Sequence, residues 1–265
     1  MMSKFKNSAN VQKGGIRRGV YLLPNLFTTG TLFAGFYSIV ATMNGALTGD
    51  YQIAAWFILI AAVFDVLDGK VARLTGTTSQ FGVEYDSLAD LVAFGVAPGL
   101  LMYAWALTGF GKLGWLAGFL YVVCGALRLA RFNVQVNTVE SKRFVGLPIP
   151  AAAGMVASCV LIFYRLGGEG TIKKISIVVL ISVLAGLMVS NVRYFSLKDP
   201  ELFKRKPFGF LVLAIIMIIL IVAEPEIMLF TIAFLYMVSG MVGSLVGFFR
   251  KPQDEKPESV DPVIE

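Results

Sequence analysis
Long apolar stretches alternate with short polar or Gly/Pro-bearing breaks along almost the whole chain. Eight such stretches fall near residues 25–47, 52–75, 80–108, 114–136, 147–166, 172–195, 207–223 and 226–249. Thr48-Gly49-Asp50, Gly109-Phe110-Gly111, Gly167-Gly168, Lys206-Pro207 and Pro225 punctuate them. About 20 apolar residues in a helix cross a bilayer core. The pattern therefore predicts an all-α integral membrane protein with about eight transmembrane helices. The first stretch is too long for the apolar region of a signal peptide and no small-residue cleavage site follows it, so it is expected to stay as an anchor. No unit of solenoid length repeats.

Composition strengthens this reading. Of 265 residues, 57% are hydrophobic and 15% charged, with a mean hydropathy of +0.75; a soluble domain carries about 45–50% and about 25%. There is too little polar surface to cover a water-facing globule. A disordered chain, a disulfide-stapled domain and a coiled coil are excluded as well. The chain has no histidine, which removes Ser-His-Asp triads, imidazole acid–base chemistry and His-ligated zinc. Cys124 and Cys159 stand singly in apolar runs and can build neither a disulfide framework nor a Cys-x-x-Cys metal site. Any catalysis falls to carboxylates, hydroxyls, amides, Lys, Arg and bound metal.

The net charge of +6 does not point to nucleic acid, because the basic residues cluster between apolar stretches and form no continuous face. Topology signals or anionic headgroups suit them better. With the N-terminus inside, only Lys112, Arg165, Lys173 and Lys174 of the 23 Lys and Arg lie outside, which satisfies the positive-inside rule. Both termini are then expected in the cytoplasm. Residues 1–23 read as a basic cytoplasmic segment and 250–265 as a disordered cytoplasmic tail. Ser239, Gly243 and Gly247 form a stripe of small residues on the last helix, expected to serve intrachain packing rather than a dimer seam.

Four aspartates stand inside or at the ends of otherwise apolar helices. The second stretch ends Phe64-Asp65-Val66-Leu67-Asp68-Gly69-Lys70-Val71-Ala72-Arg73, and the third begins Gly82-Val83-Glu84-Tyr85-Asp86-Ser87-Leu88-Ala89-Asp90. A charge near mid-bilayer costs at least ~2.5–3.5 kcal/mol on insertion scales, so four together demand compensation. Asp65 and Asp68 are three apart, Asp86 and Asp90 four apart, so each pair lies on one helical face. Gly69, Ala72 and Arg73 share the stripe of the first pair, and Gly82 that of the second. Glu84 points away. A short loop makes the two helices antiparallel neighbours, so all four carboxylates can converge at the cytoplasmic end. Their charge exceeds what Arg73 can neutralise, whereas two divalent cations would balance it. Oxygen-only donors select Mg²⁺ or Mn²⁺, with Ca²⁺ also admitted, and a pair of such ions suits in-line attack at phosphorus. Gly69 and Ala72 leave room for a ligand, and Arg73 is placed to pair with phosphate. The competing reading is a structural network or a divalent-cation transport path; the interleaved glycines, alanine and arginine weigh against it, as does the lack of acidic residues continuing outward.

The string D-x-x-D-G-x-x-A-R followed by G-x-x-x-D-x-x-x-D resembles the signature of the CDP-alcohol phosphotransferase family at all eight fixed positions: Asp65, Asp68, Gly69, Ala72, Arg73, Gly82, Asp86 and Asp90. Pro24-Asn25-Leu26-Phe27-Thr28 is similar to the start of that family's first helix. The segments Asp86–Pro98, Leu127–Asn133 and Phe144–Ala151 resemble its bacterial and archaeal phosphatidylserine synthase branch. The resemblance covers roughly residues 17–195. It implies a six-helix catalytic domain over 24–195 with an additional helix pair over 196–249, metal dependence and a homodimer. It also implies transfer of a phosphatidyl group from CDP-diacylglycerol to L-serine, giving phosphatidylserine and CMP at the cytoplasmic face of a prokaryotic inner membrane. By motif position, Asp65, Asp68, Asp86 and Asp90 would hold metal, with Asp90 also the general base. Gly69, Ala72, Arg73 and Gly82, with Asn25 and Thr28, would line the CDP pocket.

A zwitterionic serine needs a cation for its carboxylate. Arg128 and Arg131, three apart at the cytoplasmic end of the fourth helix, either supply it or are anchors reaching for headgroups. Residues 144–150 are either a rigid re-entrant loop beside that site or the cap of the fifth helix. A sister enzyme with another acceptor (glycerol 3-phosphate, inositol phosphate or choline) would need extra cations, for which Lys142 and Arg143 are available.

Overall fold
The computed structural model describes residues 12–76, 79–136, 146–192, 194 and 207–249. These form eight helices: α1 (Gln12–Thr48), α2 (Gln52–Thr75), α3 (Gln80–Phe110), α4 (Lys112–Val136), α5 (Ile149–Arg165), α6 (Ile175–Val189), α7 (Pro207–Ala223) and α8 (Pro225–Phe249). There is no strand among the described residues. Large apolar side chains such as Leu26, Phe33, Leu47, Leu74, Leu113 and Val222 are exposed around the bundle, as in a protein whose solvent is lipid. The molecule is an all-α membrane protein. The expected tail over 250–265, the first eleven residues, and Lys142 and Arg143 lie outside the described residues.

Two element lengths differ from expectation. α1 begins at Gln12 and runs for 37 residues, about 55 Å at 1.5 Å per residue. Part of the stretch read as a basic cytoplasmic segment, from Gln12 to Leu23, is therefore helix, and α1 outreaches a bilayer core of about 30 Å. Conversely, five helices are long and apolar enough to cross a membrane: α1 from Pro24, α2, α3, α4 and α8. α5 and α7 have 17 residues each and α6 has 15. The sequence between α5 and α6 is glycine-rich and polar and does not continue the helix: Gly167 and Gly170 adopt positive φ, and Ile172 donates its N–H to Trp105 O at 3.1 Å. The short α5 is buried on all sides from Met155 to Leu161 and packs against α2 and α8. A helix surrounded by protein need not match the bilayer.

Small residues let the helices approach. α1 and α2 pack along their length through Ala34, Ala41, Ala54, Ala55 and Ala61, and Ser38 donates to Ala54 O at 2.8 Å. A Cβ on Gly35 would lie 2.6 Å from Ala93 Cα, so α1 and α3 touch backbone to backbone. α3 is not a uniform helix: it turns π-helical over Leu91–Val96 and again over Tyr103–Leu107. Between the two lies Pro98, which cannot donate to Phe94 O. Tyr121, fully buried on α4, donates its hydroxyl to that carbonyl at 3.1 Å.

The end of the bundle opposite the aspartates is tied by Tyr164, whose hydroxyl donates to Gly49 O at 2.7 Å, and by an exposed ion pair between Arg165 on α5 and Glu224 between α7 and α8. The small-residue stripe on α8 needs correction. Ser239 and Gly243 are exposed; the buried position is Gly240, where a Cβ would collide with the Tyr194 ring. The packing face is rotated to run through Tyr236, Met237 and Gly240.

Candidate active site
Two capping devices bring the last turns of α2 against the first turns of α3. Gly76 ends α2 in the left-handed conformation (φ 62°) and returns its N–H to Ala72 O, the usual glycine stop. Ser79 starts α3 by accepting the Gly82 N–H at 3.0 Å on its hydroxyl. Antiparallel descent from this turn places Asp68 opposite Asp86, and Asp65 opposite Asp90 one turn deeper.

The carboxylates converge as their spacing predicts. Asp65, Asp68 and Asp86 each offer an oxygen within 4.8 Å of the others. Asp90 meets Asp65, and Asp68 meets Asp86, carboxyl to carboxyl. Asp68 is only 5% exposed and accepts the Thr28 hydroxyl at 2.8 Å on Oδ2. Oδ1 of Asp86 and Oδ1 of Asp90 are buried with no hydrogen-bond partner among the described residues. No Lys or Arg among those residues forms an ion pair with any of the four. Packed carboxylates need either shared protons or a cation. An all-oxygen donor set with unspent lone pairs fits a hard divalent cation. Asp90 stands outside the tight triad, so the four aspartates are three clustered donors with a fourth behind them.

Beside the triad opens a cavity of about 180 Å³, lined by Pro24, Asn25, Thr28, Asp68, Gly69, Ala72, Arg73, Ser79, Gly82, Val83 and Asp86. All six residues expected around CDP are in that wall. A Cβ on Gly82 would lie 3.2 Å from Ser79 Oγ and 3.6 Å from Asn25 Oδ1, so its missing side chain is part of the space. Arg73 is exposed and folds back over the cavity, its Nε donating to Gly69 O at 2.7 Å. Pro24 was marked in the sequence only as a motif position, and Ser79 and Val83 were not singled out as site residues. Ser79 had a readable signal, as a serine just ahead of a helical run.

Arg128 and Arg131 do not line this cavity. They sit on α4 and face the end of α6: Arg128 Nη1 donates to Met188 O at 3.4 Å, and Arg131 Nη2 to Asn191 Oδ1 at 3.0 Å. One link joins them to the motif. Asn133 Nδ2 donates to the hydroxyl of Ser87, the neighbour of Asp86, at 3.0 Å. The described part of 144–150 is a cap rather than a re-entrant loop. Gly146 (φ 82°) donates to Val192 O at 2.8 Å, Leu147 to Leu187 O at 2.9 Å, and Pro148 is the N-cap of α5.

Away from the aspartates, the interior between α1, α2 and α3 is filled by Ala54, Ile58, Ala93, Phe94, Leu101 and Trp105. Among the described residues no acidic side chain extends from the cluster through this layer, so the transport reading finds no path there. Comparison with known proteins agrees. Residues 21–189 match the CDP-alcohol phosphatidyltransferase family. A CDP-diacylglycerol–serine O-phosphatidyltransferase of Helicobacter pylori is 41% identical over 226 residues, spanning 84% of this chain and 91% of that protein. An archaetidylserine synthase of Methanothermobacter thermautotrophicus is 40% identical over 174 residues, 65% of this chain and 69% of that one. A CDP-diacylglycerol–serine O-phosphatidyltransferase of Saccharomyces cerevisiae is 47% identical over 135 residues, 47% of this chain and 48% of that one. With the motif, its cavity and these relatives in agreement, the chain belongs to the CDP-alcohol phosphatidyltransferase family and is an enzyme of that class.

Proposed function
We propose that this enzyme transfers the phosphatidyl group of CDP-diacylglycerol to L-serine, giving phosphatidylserine and CMP. The observation that carries the reading is the aspartate triad opening into a cavity walled by the CDP-motif residues. The serine acceptor is supported by the name and extent of the Helicobacter pylori relative.

Asp65, Asp68 and Asp86, completed by Asp90, would hold two divalent cations, Mg²⁺ or Mn²⁺. Bound there, the cations neutralise pyrophosphate charge and make phosphorus more electrophilic. Gly69, Ala72 and Gly82 keep the wall low enough for the nucleotide to lie against backbone, while Asn25 and Thr28 offer polar contacts from α1. Arg73 closes the open side with a positive charge for phosphate. Asp90 takes the proton of the serine hydroxyl on its unpartnered carboxylate oxygen. The serine oxygen then forms a bond to the phosphorus that carries diacylglycerol, and the bond from that phosphorus to the CMP oxygen breaks. CMP leaves without a proton, since a phosphate monoester is mostly ionised above pH ~6. Arg128 and Arg131 hold the serine carboxylate. The unit doing this is the six-helix part over 24–195, with 196–249 as an added pair. It works as a homodimer in a prokaryotic inner membrane, with both termini and the site cytoplasmic, as the distribution of Lys and Arg supports.

The test is CMP release from CDP-diacylglycerol in detergent, with L-serine, glycerol 3-phosphate, inositol phosphate and choline as acceptors. Release with serine alone is expected, abolished by chelator and restored by Mn²⁺ or Mg²⁺. Release with a different acceptor alone overturns the serine assignment, and release unaffected by chelator overturns the metal site.

A further inference from the structure
The guanidinium of Arg128 is bounded by chain on two sides. Its Nη1 donates to Met188 O at the end of α6, and a Cβ on Gly146 would lie only 2.9 Å from the same nitrogen. Ser190 O borders the same spot, 3.0 Å from that Cβ, and the chain runs on from there to the first of two tyrosines. Tyr194, just past α6 and 4% exposed, and Tyr236 on α8 both lie within electrostatic range of the charge. Their rings are 5.3 Å apart at 32°. Tyr194 is itself wedged onto α8: its hydroxyl donates to Met237 O at 3.5 Å, and its ring fills the place of a side chain at Gly240. The aromatic pair beside the Arg128 charge is thus half supplied by the C-terminal helix pair.

Resting on the reading of Arg128 as the cation for the acceptor carboxylate, we propose that Tyr194 and Tyr236 are positioning residues that hold the Arg128 guanidinium, so that α8 completes the acceptor site. An arginine carries several freely rotating bonds, and its entropy must be spent before its planar fork meets a carboxylate. Two neutral rings restrict that freedom without cancelling the charge, and they exclude water from it, which strengthens attraction to an anion. The C-terminal pair would then act on acceptor binding while leaving the metal site, built on α2 and α3, untouched.

The experiment compares R128A, Y236A, Y236F and G240A in the full chain, measuring kcat and the KM for each substrate by CMP release. G240A drives the Tyr194 ring from its place without altering either tyrosine, and so serves if Y236A does not fold. Y236A and G240A are each expected to raise the serine KM about tenfold, the size of a direct coupling, with kcat and the CDP-diacylglycerol KM within about twofold. Y236F, which keeps the ring, restores the parent value, and Y236A adds nothing to R128A. If R128A raises the serine KM but Y236A and G240A leave it alone, or shift kcat and both KM values together, the positioning role is overturned and Arg128 keeps its own. If R128A itself leaves the serine KM unmoved, the Arg128 assignment falls, and the proposal with it.

Discussion
At the scale of single residues, the site divides into groups that a motif exposes and groups that only packing exposes. The aspartates, Gly69, Ala72, Arg73 and Gly82 were legible because helical periodicity sorts them onto facing stripes, and charge in lipid is too costly to be incidental. Thr28 was legible as a motif position, but not as the donor that holds Asp68 Oδ2 at 2.8 Å, since that bond joins residues forty positions apart. Removing it by Thr28→Val leaves a buried carboxylate short of one charge-assisted bond, worth ~1.5–3 kcal/mol. The Mn²⁺ concentration for half-maximal CMP release should rise about tenfold or more, and Thr28→Ser should restore it; an unchanged metal requirement refutes the role. Asp90 makes a sharper case, because it stands behind the triad of Asp65, Asp68 and Asp86. Asp90→Asn should lower kcat by roughly 10²–10⁴, the usual weight of a general base, while Mn²⁺ binding at the triad, followed by electron paramagnetic resonance, persists. Near-parental turnover in that variant rules out Asp90 as the base.

At the scale of elements, apolar run length placed all eight helices, because in a membrane a backbone must satisfy its own hydrogen bonds and helix is the available form. What run length could not resolve was helix regularity. The run 80–108 reads as one helix. The chain instead changes to a π-helix on the turn after Asp90, and the carbonyl orphaned by Pro98 is answered from another helix by Tyr121. That partner is invisible from sequence, since an aromatic residue in an apolar run looks like ordinary core. Nor could run length tell a buried helix such as α5 from a lipid-facing one, since both are apolar all round. Tyr121→Phe keeps the ring but leaves Phe94 O without its donor in a dry interior, at a cost of ~1–3 kcal/mol. The expected outcome is a lower melting temperature in detergent with CDP-diacylglycerol KM little changed. A variant as stable as the parent indicates that Phe94 O finds another donor and that the α3–α4 bond carries no stability.

At the scale of the whole molecule, the two ends of the bundle have different chemistry, and the proposed orientation rests on that difference. The motif end carries the triad, the cavity and Arg73, with Arg128 and Arg131 on α4. The other end carries Tyr164, Asp50 and the Arg165–Glu224 pair. A phosphatidyl transfer that uses a nucleotide-activated lipid and a water-soluble amino acid needs its site open to the compartment that holds both CTP-derived nucleotide and serine. The bias of Lys and Arg toward the motif end matches that need, because translocation of short loops is biased against positive charge. Gln80, exposed beside the turn that joins α2 to α3, and Glu169, exposed between α5 and α6, lie at opposite ends. The native Cys124 and Cys159 are buried, so replacing them with alanine and adding Gln80→Cys or Glu169→Cys gives one reporter at each end. In intact cells a membrane-impermeant maleimide should label the Glu169→Cys protein readily and the Gln80→Cys protein only after permeabilisation. The reverse pattern would put the aspartates on the outer face, where neither substrate is made, and would overturn the orientation and with it the reading of the cytoplasmic serine pocket.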